Sequence, residues 1–276
     1  MAAAAIRIEN VEVDYAAGRG TMRRILNGIN LEIASGEFVS IVGQTGCGKS
    51  TLLRLILAEE APTRGRVLVG GRERSQPDRS CGYVPQRYSL FPDKTVLGNV
   101  TFGLEVAAGG FERWRRKKEF REEALRYLRH TGLNEADAQK YPHQLSGGMQ
   151  QRVAIAQALI LHPPILLMDE AFSALDPGTR AGMQRLIKEL WRESGTTIVF
   201  VTHNTREAVC LSTRIVALAK NSTGERGSSV ALDIPVTHAD FDSDHEEITT
   251  LVQRVEAATM PSTDASKLDT SKYVLL

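Results

Sequence analysis

The amino-acid sequence predicts an α/β fold built on a parallel sheet. Three observations carry that expectation. Short apolar runs alternate with segments of helical periodicity along most of the 276 residues. Gly43-Gln44-Thr45-Gly46-Cys47-Gly48-Lys49-Ser50 fits G-x-x-x-x-G-K-[ST], with an apolar run (38–42) before it and a helix-like run (51–57) after it. A second apolar run, 165–168, ends in the paired carboxylates Asp169 and Glu170.

The elements follow in order. Ile6, Ile8, Val11 and Val13 mix with polar residues as a strand does, and residues 29–33 continue the β pattern to a turn at Gly36. Residues 38–42 form the strand before the glycine-rich loop. Residues 66–69 read as another strand, and 81–84 as a short one ending at Pro85. From about Thr95 to Leu161 the pattern is helical, with Phe120, Ala124, Tyr127 and Leu128 at helical spacing. Leu145-Ser146-Gly147-Gly148 interrupts it, and a helix resumes over 149–161. After the strand at 165–168, a helix starts at Pro177 with Met183, Leu186, Ile187, Leu190 and Trp191 on one face. A strand at 197–201, a short helix near Arg206 and a strand at 215–218 complete the pattern. After Lys220 the composition shifts to Ser, Thr, Gly and Asp; a strand (230–236) and a helix (246–257) are expected there. There are no internal repeats.

Composition narrows the function classes. Hydrophobic residues make up 42% of the chain, enough for a full core, and the net charge of +1 gives no global field toward nucleic acid or an anionic membrane. Cys47, Cys81 and Cys210 are scattered and odd in number, against a disulfide framework and in keeping with a reducing cytosol. The first nine residues do not read as a signal peptide, and no stretch approaches the roughly 18 uninterrupted apolar residues of a membrane span. Arg113-Trp114-Arg115-Arg116-Lys117-Lys118 is followed at once by Glu119, Glu122 and Glu123. The expectation is a solvated helix face with pairs such as Lys118–Glu122, not a nucleic-acid patch. His130, His143, His162, His238 and His245 show no metal-ligand spacing.

The motifs carry phosphate chemistry. Glycines let the loop at 43–50 turn its N–H groups toward a phosphate chain, and the following helix adds positive potential. Lys49 is placed to reach the β- and γ-phosphates and Ser50 to hold Mg²⁺. Cys47 reads as a small side chain at a variable loop position. Strand C-termini line the ligand crevice of an open α/β sheet. There Asp169 can support Mg²⁺, and Glu170 can orient and deprotonate an attacking water. In Leu145-Ser146-Gly147-Gly148-Met149-Gln150-Gln151-Arg152, small residues and a helix N-terminus again suit phosphate oxygens.

Together these motifs resemble those of the ATP-binding cassette (ABC) ATPases, over roughly Ile6 to Lys220. The resemblance implies a P-loop NTPase core with an N-terminal antiparallel β part and a helical insert at about 87–161. An ATPase unit of residues 1–220 would then precede a C-terminal extension, 221–276, without an assigned role. It also implies ATP and Mg²⁺ as ligands and assigns roles. Tyr15 would stack on adenine, and Gly43, Gln44, Thr45, Gly46, Cys47, Gly48, Lys49, Ser50 and Thr51 would surround the phosphates. Ser50, Asp169 and Gln86 would serve the metal. Glu170, His203 and Gln86 would serve catalysis, with His203 at the γ-phosphate and Gln86 joining the core to the insert. Ser146, Gly147, Gly148, Gln150 and Asp176 would complete the nucleotide site across a dimer. Asp176 is also a plausible helix N-cap before Pro177. Two positions depart from the family pattern: Asn204 where an acid usually follows the histidine, and Ala171 where many members have Pro. Neither removes a reacting group.

In this family two subunits, identical or not, pack head to tail around ATP. A transporter role further implies a separate permease, whose short helices the insert and the groove near Gln86 would receive, a solute-binding protein, and a peripheral place on the cytoplasmic face of the inner membrane. No nucleic-acid partner is implied. Residues 91–100 resemble bacterial importer subunits. Residues 162–170 resemble the nitrate, sulfonate and taurine group, and 171–176 the quaternary-amine group, which points to a small polar or nitrogenous solute. Two alternatives stay open: a soluble ABC ATPase of repair, translation or cluster assembly, and a lipid-exporting or lipid-trafficking ATPase. Against the former, only about 95 residues separate the two glycine-rich loops, with no long heptad run, and one cassette is present. No Asn-Lys-x-Asp motif supports a GTPase.

Overall fold

The computed structural model describes residues 4–18, 21–87, 90–173, 175–221, 227–236 and 245–260. Of the positions singled out above, Ala174 and His238 lie outside the described residues, as do the first three residues of the leader and the side chain of His245.

Among the described residues, ten strands form one mixed sheet. β1 (Ala4–Ala16) and β2 (Met22–Ala34) make an antiparallel ribbon, and β4 (Arg64–Val69) pairs antiparallel on the other side of β1. The two-residue β5 (Arg72–Glu73) closes that edge; it is too short to leave a periodicity in the sequence. The parallel block contains β3 (Phe38–Gly43), β6 (Cys81–Val84), β7 (Ile165–Asp169), β8 (Thr197–Thr202) and β9 (Arg214–Lys220). Its spatial order is β9-β3-β8-β7-β6. Every residue of β3, β7 and β8 is buried, as a parallel sheet covered on both faces requires. That order sends the C-terminal ends of β3, β7 and β8 to one rim, and with them the glycine-rich loop, Asp169-Glu170 and His203.

Helices cover both faces. α1 (Lys49–Leu57) buries Leu52, Leu53 and Ile56 against β-sheet residues such as Val39, Leu167 and Val216, each side chain contributing about 1.5–3 kcal/mol of burial free energy. On the other face α6 (Pro177–Ser194) sets Met183 and Ile187 among Phe38, Phe172 and Phe200. Trp191 meets Phe38 edge-on at 5.8 Å and donates its indole N–H to the Gly36 carbonyl, 2.9 Å, satisfying its one polar atom.

The insert has a core of its own. It packs α2 (Val96–Ala108), α4 (Lys117–His130) and α5 (Gly147–Leu159) around Val100, Ala124, Leu128, Val153 and Ile160, with the short α3 (Gly110–Arg115) at its edge. α5 also places Ile155 and Leu159 in the core under the sheet, so one helix belongs to both packing units. The basic run on α3 and α4 is laced with acids: Arg113–Glu105 at 2.7 Å, Arg115–Glu112 at 2.8 Å, Arg116–Glu119 and Lys118–Glu122 at 3.9 Å. That is the solvated face expected from the spacing.

The residues after Lys220 continue the sheet. β10 (Ser228–Pro235) runs antiparallel to β9, with Ser228 opposite Lys220, and touches β2 through the single bridge Ser228–Leu26. It therefore lies between the antiparallel part and the parallel block. α8 (His245–Thr259) buries Ile248 and Val255 with Ala208 and Val209 of α7 (Thr205–Leu211).

Asp137 pins the turn between α4 and α5. It is buried, accepts from the Asn134 N–H at 3.0 Å and takes the Lys140 ammonium at 2.7 Å. The Lys140 hydrogen bond, then the Asn134 N–H, hold its carboxyl below the ordinary aspartate value of 3.8. Because the folded value is the lower one, its contribution is complete above 3.8 and is lost as pH falls through the folded value. Asp137→Ala is expected to cost about 1–3 kcal/mol by removing two hydrogen bonds to a charged acceptor. A urea-unfolding midpoint at pH 7 reads this; an unshifted midpoint would contradict it.

Candidate functional site

The glycine-rich loop begins where β3 reaches the rim. Gly48 is the N-cap of α1 in the left-handed region (φ 93°), with no side-chain cap on the first-turn N–H groups, which leaves them directed at the loop interior. Lys49 is only 6% exposed. Its ammonium donates to the Gly43 carbonyl at 2.7 Å and the Gln44 carbonyl at 3.2 Å, so the cation is held across the loop. Thr51 and Cys47 are buried, while Gln44 and Thr45 are exposed. Burial pushes the Cys47 thiol up, which suits a packed residue and not a nucleophile. Lys220 reaches the loop from β9, its ammonium 3.3 Å from the Thr45 carbonyl.

Next to the loop stands Asp169. Burial raises its carboxyl, and a hydrogen bond from the Ser50 hydroxyl lowers it in part. Three expected catalytic groups meet on one atom: Glu170 Oε2 accepts from Gln86 Nε2 at 2.8 Å and lies 3.3 Å from His203 Nδ1. They follow the ends of β7, β6 and β8, 84 residues apart in the case of Gln86 and Glu170. The Glu170 backbone has φ 44°, a left-handed conformation costing on the order of 1–3 kcal/mol for a side-chain-bearing residue. Its N–H donates to the Val201 carbonyl at 2.8 Å and its carbonyl accepts from the Ser173 N–H at 3.0 Å, which fixes the turn. Ala171 is buried directly behind it.

A second constellation lies elsewhere on the chain. Ser146 caps α5, accepting from the Met149 N–H at 3.3 Å, and Gly147 and Gly148 open the helix. A Cβ on Gly148 would stand 2.8 Å from Thr179 Cγ2, so glycine permits the close approach to α6. Gln150 spends its amide on the loop itself, donating to the Pro142 and Leu145 carbonyls at 3.0 and 3.3 Å. Asp176 caps α6 through the Thr179 N–H at 3.0 Å, and its bonds to Thr179 hold its carboxyl low. Ser146, Gly147, Gly148, Met149 and Asp176 share a cleft of about 560 Å³ that no residue of the glycine-rich loop lines.

Tyr15 lies beside the helix that follows the glycine-rich loop, 36% exposed near the end of β1. Its hydroxyl donates to Glu60 and accepts from Arg54 at 3.4 Å, which ties it beside α1. Asn204 caps α7, accepting from the Glu207 N–H at 3.1 Å, so the departure from an acid keeps the cap and adds no second charge beside Glu207. The sequence reading passed over Glu207 and Arg180. Each sits one helical turn beyond a singled-out loop residue, His203 and Asp176, and that i+4 spacing was the available signal.

The chain can be compared with known proteins. The ABC transporter family matches residues 26–173, more than half of the chain. An uncharacterized ABC transporter ATP-binding protein of Methanocaldococcus jannaschii is 45% identical over 213 residues, 77% of each chain. A bicarbonate transport ATP-binding protein of Synechococcus elongatus is 41% identical over 230 residues, 83% of this chain but only 34% of that protein. An aliphatic sulfonates import ATP-binding protein of Pseudomonas putida is 41% identical over 212 residues, 77% of this chain and 73% of the relative. Among solved structures, a dimeric post-hydrolysis ATP-binding cassette bound to ADP and Pi has a TM-score of 0.73 and 35% identity, covering 84% of this chain and 99% of that one. Motifs, fold and relatives agree, and the chain belongs to the ABC transporter family as an ATP-binding, ATP-hydrolysing cassette.

Proposed function

We propose that the chain powers import of a small polar or nitrogenous solute through a separate permease, acting as a head-to-tail pair of cassettes. The observation that carries this reading is the division of the site into two halves. The phosphate loop with Glu170, Gln86 and His203 forms one; Ser146–Gly148 with Asp176 forms the other, in a cleft the loop does not reach. A twofold pair brings one half of each subunit to the other half of its partner, and ATP held between them favours the closed pair. The dimeric cassettes among the structural relatives support this arrangement.

Within one site, the first-turn N–H groups of α1 and Lys49 bind the phosphates, and Tyr15, tied beside α1 by Glu60 and Arg54, stacks on the adenine ring. Glu170 Oε2 orients the attacking water and takes its proton, with Gln86 and His203 fixing that carboxylate. Ser50, Asp169 and Gln86 offer oxygen ligands of the kind Mg²⁺ prefers. Among the described residues no cage of three His, Cys, Asp or Glu side chains exists, which fits a metal held jointly with substrate phosphates. When bound, Mg²⁺ neutralises charge on the β- and γ-phosphates.

No helix among the described residues is long and apolar enough to cross a membrane, so import requires the permease, and the cassette would sit peripherally on the cytoplasmic face. The insert exposes Phe111 and Trp114, 73% and 75% accessible and 6.2 Å apart; such a pair suits a permease segment. Relatives named for bicarbonate, nitrate and aliphatic sulfonates support a small polar cargo, delivered by a solute-binding protein. The test is purification of the chain from its native membrane in detergent, with mass spectrometry and ATPase assay of the product. Co-purification of a multi-span permease whose binding protein stimulates hydrolysis is expected. An active particle free of any membrane protein would reject import in favour of a soluble ATPase.

A further inference from the structure

We propose that Arg180 and Glu207 are positioning residues that couple the loop at Asp176 to the His203 imidazole. The inference deepens the dimeric ATPase reading and rests on it.

The path is continuous. Leu175, next to Asp176, presents its carbonyl to Arg180 Nη2 at 2.9 Å. Arg180 Nε lies 3.6 Å from Glu207 Oε1. The other carboxylate oxygen, Oε2, accepts from the Thr202 hydroxyl at 3.1 Å. That hydroxyl also accepts from the Asn204 N–H at 3.0 Å, and Asn204 Oδ1 accepts from the Glu207 N–H at 3.1 Å. Thr202 and Asn204 flank His203 on either side, so both peptide neighbours of the imidazole are fastened to Glu207. His203 in turn reaches Glu170 Oε2.

Two physical features make this a link and not a surface pair. Glu207 is 8% exposed, and Thr202 is 2% exposed. Burial raises the Glu207 carboxyl, while the Thr202 hydroxyl first, then Arg180 and His203, lower it and Glu170 raises it. The Arg180 Nε is itself buried without a hydrogen-bond partner, because 3.6 Å is outside hydrogen-bond reach. The pair therefore has slack. A shift of the Asp176 loop moves the Leu175 carbonyl that holds Arg180 and alters this contact first, and Glu207 passes the change to the turn holding His203. In a head-to-tail pair the Asp176 loop lies at the partner's edge, so the relay reports the seating of the partner to the catalytic carboxylate.

The experiment is steady-state ATP hydrolysis by the full chain, with rates normalised to bound nucleotide, for wild type, Arg180→Met, Glu207→Gln and the double variant. Each single change is expected to lower kcat about tenfold with KM for ATP within twofold, and the double change to be no worse than the weaker single variant. Arg180→Lys, which keeps the charge and loses the fork, is expected to recover part of kcat and serves if Glu207→Gln fails to fold. Additive losses, unchanged kcat, or a loss confined to KM would overturn the relay. If wild type hydrolyses ATP and the variants match it, only the relay fails; if wild type does not hydrolyse ATP, the dimeric ATPase reading fails with it.

Discussion

Glu170→Gln is expected to lower kcat for ATP hydrolysis by about 10²–10⁴-fold while ATP still binds, the range a general base supplies. The amide is isosteric with the carboxylate and can still accept from Gln86 Nε2, so the geometry at 2.8 Å should persist. What it loses is the charge facing His203 Nδ1 at 3.3 Å and the basicity that takes the proton of water. The backbone at φ 44° is unaffected by the change, since both residues carry the same branching. ATP that binds and is not cleaved keeps the two half-sites together. The variant should therefore run as a dimer in saturating Mg-ATP and as a monomer in ADP, read by light scattering on a sizing column. A variant hydrolysing within threefold of wild type would remove Glu170 from the base role. A monomer in Mg-ATP would remove the head-to-tail model.

The parts of this fold that the sequence made legible are those where local pattern and local structure coincide. The phosphate loop needs only a strand, eight residues and a helix, all contiguous, and 38–57 supplies them. The strand at β7 and the long face of α6 are likewise readable from apolar patterning alone. Pairing was not. β10 follows a Ser/Thr/Gly-rich stretch that reads as a tail, yet it sits between β9 and β2, because its partners are set by long-range hydrogen bonds that leave no local mark. The meeting of Gln86, Glu170 and His203 was legible only through the family resemblance, since three strand ends converge by topology and not by spacing. Glu207 and Arg180 were missed for a different reason. A charged residue on a short helix is by default solvent-facing, and only packing against β8 and α6 makes this one buried. Gln150 shows the converse: a residue assigned to nucleotide by motif spends its amide on the backbone of its own loop.

Gly48→Ala is expected to weaken ATP binding at least about tenfold, and Gly46→Ala clearly less, although both glycines have positive φ. The backbone penalty is shared: at φ 93° and φ 74° an L side chain costs about 1–2 kcal/mol in either place. The surroundings differ. A Cβ on Gly46 meets only the Lys220 ammonium, at 3.8 Å, the far end of a flexible side chain. A Cβ on Gly48 would stand 2.5 Å from Leu26 Cδ2 and 3.0 Å from Ile25 Cγ2. Leu26 is fully buried in the core behind the loop, so it has no room to withdraw, and overpacking there adds about 1–3 kcal/mol. The cheaper response is for the loop to move. Gly48 is the N-cap of α1, so its displacement turns the first-turn N–H groups and Lys49 away from the phosphates together. Titration with a fluorescent ATP analogue, beside thermal midpoints, separates the two variants. Equal affinity losses in both would mean that φ alone governs the loop and that the contact with β2 is irrelevant.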